Sequence, residues 1–134
     1  MRYLPLTDSD RQLIDAAAEV IRRNYFPDRH HVGAAVRCGS GKIYTGVHLE
    51  SCAIDVCAEP VAMGAAASAG EREFEVIVAV KMTADGEPRV LSPCGVCREL
   101  IRHYSPDILV IFEEDGQVRK CRVLDLLPGP YKSS

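Results

Sequence analysis

Leu13, Ile14, Ala17, Val20 and Ile21 recur at three- and four-residue spacing, the period of one helical face. The Thr7-Asp8-Ser9-Asp10 cluster just ahead supplies oxygens that accept the first free amides, so the helix opens there. The pattern then changes. HVGAAVRC and KIYTGVHL flank Gly39-Ser40-Gly41 and read as a β-hairpin. AEPVAMGAAASA, residues 58–69, returns to helix: Pro60 is tolerated only in a first turn, and Gly70 suits the stop. EFEVIVAVKM has a continuous apolar centre, which predicts a strand buried on both faces. VCRELIRHY is a short helix ended by Ser105-Pro106. In DILVIFEEDGQVRKCRV, Asp115-Gly116 separates two strand-like runs, a second hairpin signal.

The predicted order is helix, hairpin, helix, strand, helix, hairpin and a short tail. Helices that join strands of one sheet cross over its faces, which predicts an α/β fold: a three-layer α/β/α sandwich around a mixed sheet of about five strands. With 134 residues, the expected organisation is a single domain over 1–134 that buries roughly two-thirds of its unfolded surface. In such folds the site lies beyond the carboxyl ends of strands, where the following helices begin.

Composition narrows the function class. Net charge is −3, with no basic block longer than Arg22-Arg23 or Arg119-Lys120, which argues against a partner bound mainly through phosphate neutralisation. No apolar stretch approaches the ~20 residues of a membrane span, and the charged start does not read as a signal peptide. A soluble cytoplasmic protein is therefore expected, with its six cysteines mostly reduced. Closely spaced cysteines in that compartment point to metal or catalysis.

Cys57 opens the second helix, and Cys94 and Cys97 open the third at i and i+3 on one turn. Tetrahedral zinc–thiolate bonds of ~2.3 Å set neighbouring sulfurs about 3.8 Å apart, which these positions can meet. Two helix N-termini then face the metal and offset the thiolate charge. Three protein ligands leave a fourth position for water, whose pKa zinc lowers to roughly 7. Glu59, two residues after Cys57, can face the same opening and move that water's proton. The competing readings are a closed structural site that adds Cys52, a thiol redox pair, and a non-catalytic zinc-stabilised binding module. Cys38, Cys52 and Cys121 read as small apolar fillers. His30, His31 and His103 read as solvated or satisfied histidines, and AAASA at 65–69 as a close-packed helix face.

Cys57-Ala58-Glu59 followed by PCGVC resembles the signature of zinc-dependent cytidine deaminases. VGAA at 32–35, TGVHLE at 45–50 and SPCGVCREL at 92–100 resemble the same family, in its order, so the likeness runs from Val32 to Tyr131. It implies one Zn2+ per chain on Cys57, Cys94 and Cys97, with Glu59 as proton shuttle. It also implies substrate contacts at His48, Glu50 and Ala58, a small nucleoside as partner, and a homotetramer with sites at subunit contacts. No nucleic acid or membrane partner is expected.

The short Glu114-Asp115-Gly116 turn leaves no room for a crossover helix, so the chain resembles the free-nucleoside branch rather than the nucleic-acid editors. Cytidine deaminases typically carry Asn-x-Glu where this chain has His48-Leu49-Glu50; an imidazole can also serve a hydroxyl. The spacing from His48 to Cys57, LSPCG and the closing LLPGPY look more like blasticidin S deaminases, which lack a glutamate at the position of Glu50. Pro60 stands where three-cysteine enzymes usually carry an arginine that donates to the thiolates; Arg98 is a candidate replacement. Histidines stand in DRHHVGAA where the family places an aromatic ring. The expected reaction is hydrolytic deamination of cytidine or deoxycytidine, with blasticidin S or a related aminopyrimidine as the alternative substrate.

Overall fold

The computed structural model describes residues 2–132. Helix α1 (Asp8–Asn24) is capped by Thr7, whose hydroxyl accepts from the Asp10 amide while the Asp10 carboxylate accepts from the Thr7 amide. Strands β1 (Val32–Cys38) and β2 (Ile43–Val47) form the first hairpin, with Ala35 opposite Thr45. A two-stranded ribbon follows, β3 (Leu49–Glu50) and β4 (Asp55–Val56), and leads directly into α2 (Ala58–Ser68). Then come β5 (Phe74–Met82), β6 (Pro88–Leu91) and α3 (Gly95–Tyr104). The second hairpin, β7 (Leu109–Glu114) and β8 (Gln117–Arg122), is closed by Asp115 and Gly116, both at positive φ, and a 3-10 turn covers Val123–Leu126.

Five strands lie in the order β2-β1-β5-β7-β8, and β6 adds a sixth by pairing with β5. β5 and β7 run parallel, joined through α3, and the other pairings are antiparallel. The sheet is therefore mixed, as expected, with one strand more than the expected five. β5 is the central strand and is buried on both faces. Its Val76, Val78 and Val80 pack with Leu13, Ala17 and Ile21 of α1, while Ile77 and Ala79 pack with Ala62, Met63 and Ile101 beneath α2 and α3. That alternation is what makes three layers. Two glycines set the spacing of the layers: a Cβ on Gly33 would lie 2.6 Å from the Ala17 carbonyl oxygen, and one on Gly46 would lie 2.7 Å from the Ala62 nitrogen.

A buried ion pair fixes α1 to the sheet. The Lys120 ammonium on β8 donates to Asp10, both buried, with Arg37 of β1 3.7 Å from the same carboxylate.

Two local expectations need correction. AAASA is only partly packed: Ala66 is fully buried, but Ala65, Ser68 and Ala69 are exposed. Cys38 and Cys121 fill the core as expected, whereas Cys52 sits exposed on the loop of the β3–β4 ribbon. The helices that begin at the cysteines follow directly on strands, as expected, α2 after β4 and α3 after β6, both strands being antiparallel to their partners.

Candidate metal centre and active-site pocket

Cys57 and Cys94 are the N-caps of α2 and α3, both with extended backbone, and Cys97 is the third residue of α3. Their sulfurs converge from two helix starts. Cys57 Sγ lies 3.7 Å from Cys94 Sγ, and all three Sγ atoms lie within 4.8 Å of one another. The first spacing matches the ~3.8 Å of two thiolates on tetrahedral zinc. Neither cysteine makes a full side-chain capping bond to its helix, so both sulfurs keep lone pairs for a further partner. The donor set fits zinc: soft sulfur ligands, one face closed by protein, one open.

The thiols respond differently to their surroundings. Burial pushes Cys97 far above the ordinary thiol range, and the neighbouring Glu59 adds to it. Burial also raises Cys57. At Cys94 burial opposes ionisation, yet contacts with the Cys97 amide and thiol, the Cys57 thiol and the Val96 amide outweigh it, so its thiol lies below the ordinary value. A helix N-terminus does this by offering unpaired amides to an anion. Cys52 is not part of the cluster, which removes the four-cysteine closed site.

Glu59 is only 4% exposed, in the first turn of α2. One carboxylate oxygen receives the Cys97 thiol at 3.8 Å. Burial raises its pKa above the usual carboxylate value. A buried carboxyl beside a thiol cluster is expensive unless it is used.

Beside these groups opens a cavity of about 280 Å³, lined by Cys57, Ala58, Glu59 and Cys94, by His31, Val32, His48, Glu50 and Asp55, and by Leu91 and Ser92. Every residue expected from the sequence at this site lines it except Cys97, which is buried behind its sulfur contacts. The lining residues other than those around the cysteines come mainly from the start of β1 and from the β3–β4 ribbon. His48, 5% exposed, receives the His31 and Val32 amides on Nδ1 at 3.1 and 3.2 Å. Its Nε2 lies 3.4 Å from Glu50 Oε1. His31, His48 and Glu50 thus form a second group whose ligand atoms come within 4.8 Å of one another.

Two expectations change here. His31 is a pocket residue; burial, then the adjacent His48, lowers its pKa. Its spacing does not mark it; the signal in the sequence is its place in DRHHVGAA, where the family carries an aromatic ring. Arg98 does not reach the thiolates: it donates to the Pro93 and Leu126 carbonyls at 2.8 and 2.9 Å, clipping the start of α3 to the 3-10 turn. His30 donates to the His48 carbonyl, and His103 is exposed. Tyr131 is exposed, its carbonyl held by Arg102. Among the described residues, no helix is long and apolar enough to cross a membrane.

Residues 7–113 match the family model of the cytidine and deoxycytidylate deaminase zinc-binding region. The chain is 40% identical over 137 residues to a blasticidin-S deaminase from Bacillus cereus, covering 98% of each chain. It is 32% identical to a cytidine deaminase from Halalkalibacterium halodurans, covering 91% of this chain and 94% of that one. The crystal structure of a cytidine deaminase from Burkholderia pseudomallei superposes with a TM-score of 0.74 at 32% identity, over 94% of this chain and all of that one. A thiol cluster at two helix starts and a family match across four-fifths of the sequence lead to one conclusion: the chain belongs to the zinc-binding cytidine and deoxycytidylate deaminase family.

Proposed function

We propose that residues 1–134 form one zinc-dependent deaminase domain that hydrolyses the exocyclic amine of a small, unphosphorylated cytosine nucleoside. Cys57, Cys94 and Cys97 hold the zinc and Glu59 moves the protons. The observation that carries this reading is Glu59 itself: a buried carboxyl, with a raised pKa, lining the same cavity as two of the three converged cysteines.

The chemistry the metal supplies is acidification of a water nucleophile to a pKa near 7. Glu59 takes a proton from that nucleophile on a carboxylate oxygen and gives it to the ring nitrogen as the oxygen adds to the amidine carbon. It then takes the second proton, from the added hydroxyl, and gives it to the amino group, which leaves as ammonia while the C–N bond breaks and the carbonyl forms. Nucleoside and water become the uracil nucleoside and ammonia. A raised pKa suits a group that must be ionised in one step and protonated in the next. Ala58, buried between ligand and shuttle, is among the residues that line the cavity, and its backbone is the contact assigned to the base. Glu50 faces the sugar, with His48 behind it.

The lining favours a nucleoside over a nucleotide. Among the described residues, the cavity wall carries Glu50, Asp55 and Glu59 and no lysine or arginine, so a phosphate there meets only like charge. A second reading is favoured by one observation, the 40% identity across 98% of both chains with the Bacillus cereus blasticidin-S deaminase. Ammonia release from cytidine, deoxycytidine, deoxycytidylate, cytosine, blasticidin S and a single-stranded oligonucleotide separates these readings. Turnover of either nucleoside class, with deoxycytidylate and the oligonucleotide inert, is expected. Preference for the phosphorylated substrate would overturn the proposal.

The assembly we propose is a homotetramer, in the cytoplasm, where the site thiols stay reduced. It is supported by α2, which is apolar around its circumference yet leaves Gly64 and Ala65 exposed, and by Val96 of α3, 77% exposed. A helix that is apolar all round is normally covered on every side. Light scattering on the purified chain tests it; a monomer at micromolar concentration would refute it.

A further inference from the structure

We infer that His48 is a positioning residue whose single ring N–H is committed to Glu50, so that of these two residues it is the Glu50 carboxylate, and not the His48 imidazole, that meets the ligand. The inference rests on the assignment of Glu50 to the substrate sugar made above. Two backbone N–H groups, of His31 and Val32, point at His48 Nδ1 from 3.1 and 3.2 Å. A ring nitrogen that accepts two N–H groups has no room for a hydrogen of its own. The ring is therefore neutral and carries its proton on Nε2, which faces Glu50 Oε1 at 3.4 Å.

The rest of the residue is equally fixed. The His48 amide donates to the Val32 carbonyl at 3.1 Å, and its own carbonyl receives His30 Nδ1 at 2.8 Å. The His31 ring stands edge-on at 4.2 Å between centroids and closes the remaining side. Residues 30–32 thus clamp His48 at every polar atom but Nε2.

Two consequences follow. A cation bound at Nε2 requires the proton on Nδ1, where it would collide with two N–H groups, so His31, His48 and Glu50 do not form a second metal site despite their proximity. Second, the groups left to face a ligand there are the free oxygen of Glu50 and the carboxylate of Asp55, both acceptors, with the His31 ring beside them. The two carboxylates call for donors on the ligand, such as hydroxyls.

The test begins with nitrogen-15 histidine labelling of the zinc-loaded protein, the His48 signals being assigned by their loss in His48→Gln. A long-range proton–nitrogen spectrum should show an unprotonated Nδ1 and a protonated Nε2. A second equivalent of zinc should leave both unshifted. A protonated Nδ1, or a shift with zinc, would overturn the inference. Kinetics supply the second arm. kcat/KM for cytidine should fall about tenfold or more in His48→Ala and in Glu50→Ala, mainly through KM. The double variant should be little worse than Glu50→Ala alone, because His48 acts through Glu50. His48→Gln, whose amide N–H can reach Glu50, should recover part of the loss. Multiplicative losses in the double variant would mean that His48 meets the ligand directly, and would overturn the positioning role. Unchanged kcat/KM in Glu50→Ala would instead sink the sugar assignment, an outcome the nitrogen spectrum tells apart from a wrong tautomer.

Discussion

Gly46→Ala should damage the site although Gly46 does not line it. A Cβ at this position in β2 would sit 2.7 Å from the Ala62 nitrogen and 3.0 Å from the Val61 carbonyl carbon, where ordinary contact begins at 3.4 Å. Both atoms are backbone of α2, so no rotamer change relieves the clash, and the strand and helix must part by about 0.7 Å, the difference between 3.4 and 2.7 Å. Either partner that moves carries site residues: α2 begins with Cys57 and Glu59, and β2 runs into His48 and Glu50. Overpacking of this kind costs ~1–3 kcal/mol, a melting-temperature loss of roughly 3–12 °C for a chain of this size. Misplacement approaching 1 Å should lower kcat/KM by about 10- to 100-fold. Leu13→Ala is the control. Leu13 is fully buried on α1 against Val76, Val78 and Val80, lines no part of the pocket, and its truncation pushes no strand aside. It should cost ~2–5 kcal/mol of stability with little loss of kcat/KM well below its melting temperature. Calorimetry, zinc content and steady-state ammonia release on both variants decide the matter. Equal kinetic losses in the two, or an unaffected Gly46→Ala, would refute the claim that Gly46 sets the α2–β2 spacing for the site.

Asp10→Asn strands the buried Lys120 ammonium and should cost about 3 kcal/mol at neutral pH. Burial resists the Asp10 charge, but bonds from Lys120 and Thr7 outweigh it and hold its folded-state pKa below the usual carboxylate value. Its contribution is therefore present above about pH 4 and is lost as pH falls through the folded value. Urea unfolding should show the deficit of the variant shrinking in acid; a constant deficit from neutral pH to pH 3 would contradict this. Cys94→Ala should lose zinc, measured by atomic absorption, and unfold more readily, because the metal ties α2 to α3. Cys52→Ala should keep its full zinc, since Cys52 lies outside the thiol cluster; loss of metal there would revive the four-cysteine site.

The cysteine cluster was legible because its geometry is local. A cysteine at a helix N-cap and another at i+3 carry their spatial relation in their spacing, and Pro60 and Gly70 marked the ends of α2 on their own. Both hairpins were legible for the same reason, through their glycines. β6 was not: Pro88-Arg89-Val90-Leu91 has neither length nor alternation, and becomes a strand only by pairing with the far half of β5. The two-residue strands of the β3–β4 ribbon are equally silent. The rest of the pocket lining escaped for a related reason. His31 and Asp55 come from separate segments, and only the bonds of residues 30–32 to His48, just ahead of the ribbon, bring them to one cavity. Exposure of Cys52 and of half of AAASA could not be read either, because small residues serve equally in cores and on surfaces.

The central claim is that Glu59 moves protons beside a zinc held by the three cysteines. The most direct measurement pairs zinc content with single-turnover ammonia release in Glu59→Gln, which keeps the volume of the side chain and removes its ability to take a proton. The account predicts about one zinc per chain, unchanged folding, and a rate lower by roughly 10²–10⁴-fold. Normal turnover, or loss of the zinc together with the activity, would contradict it.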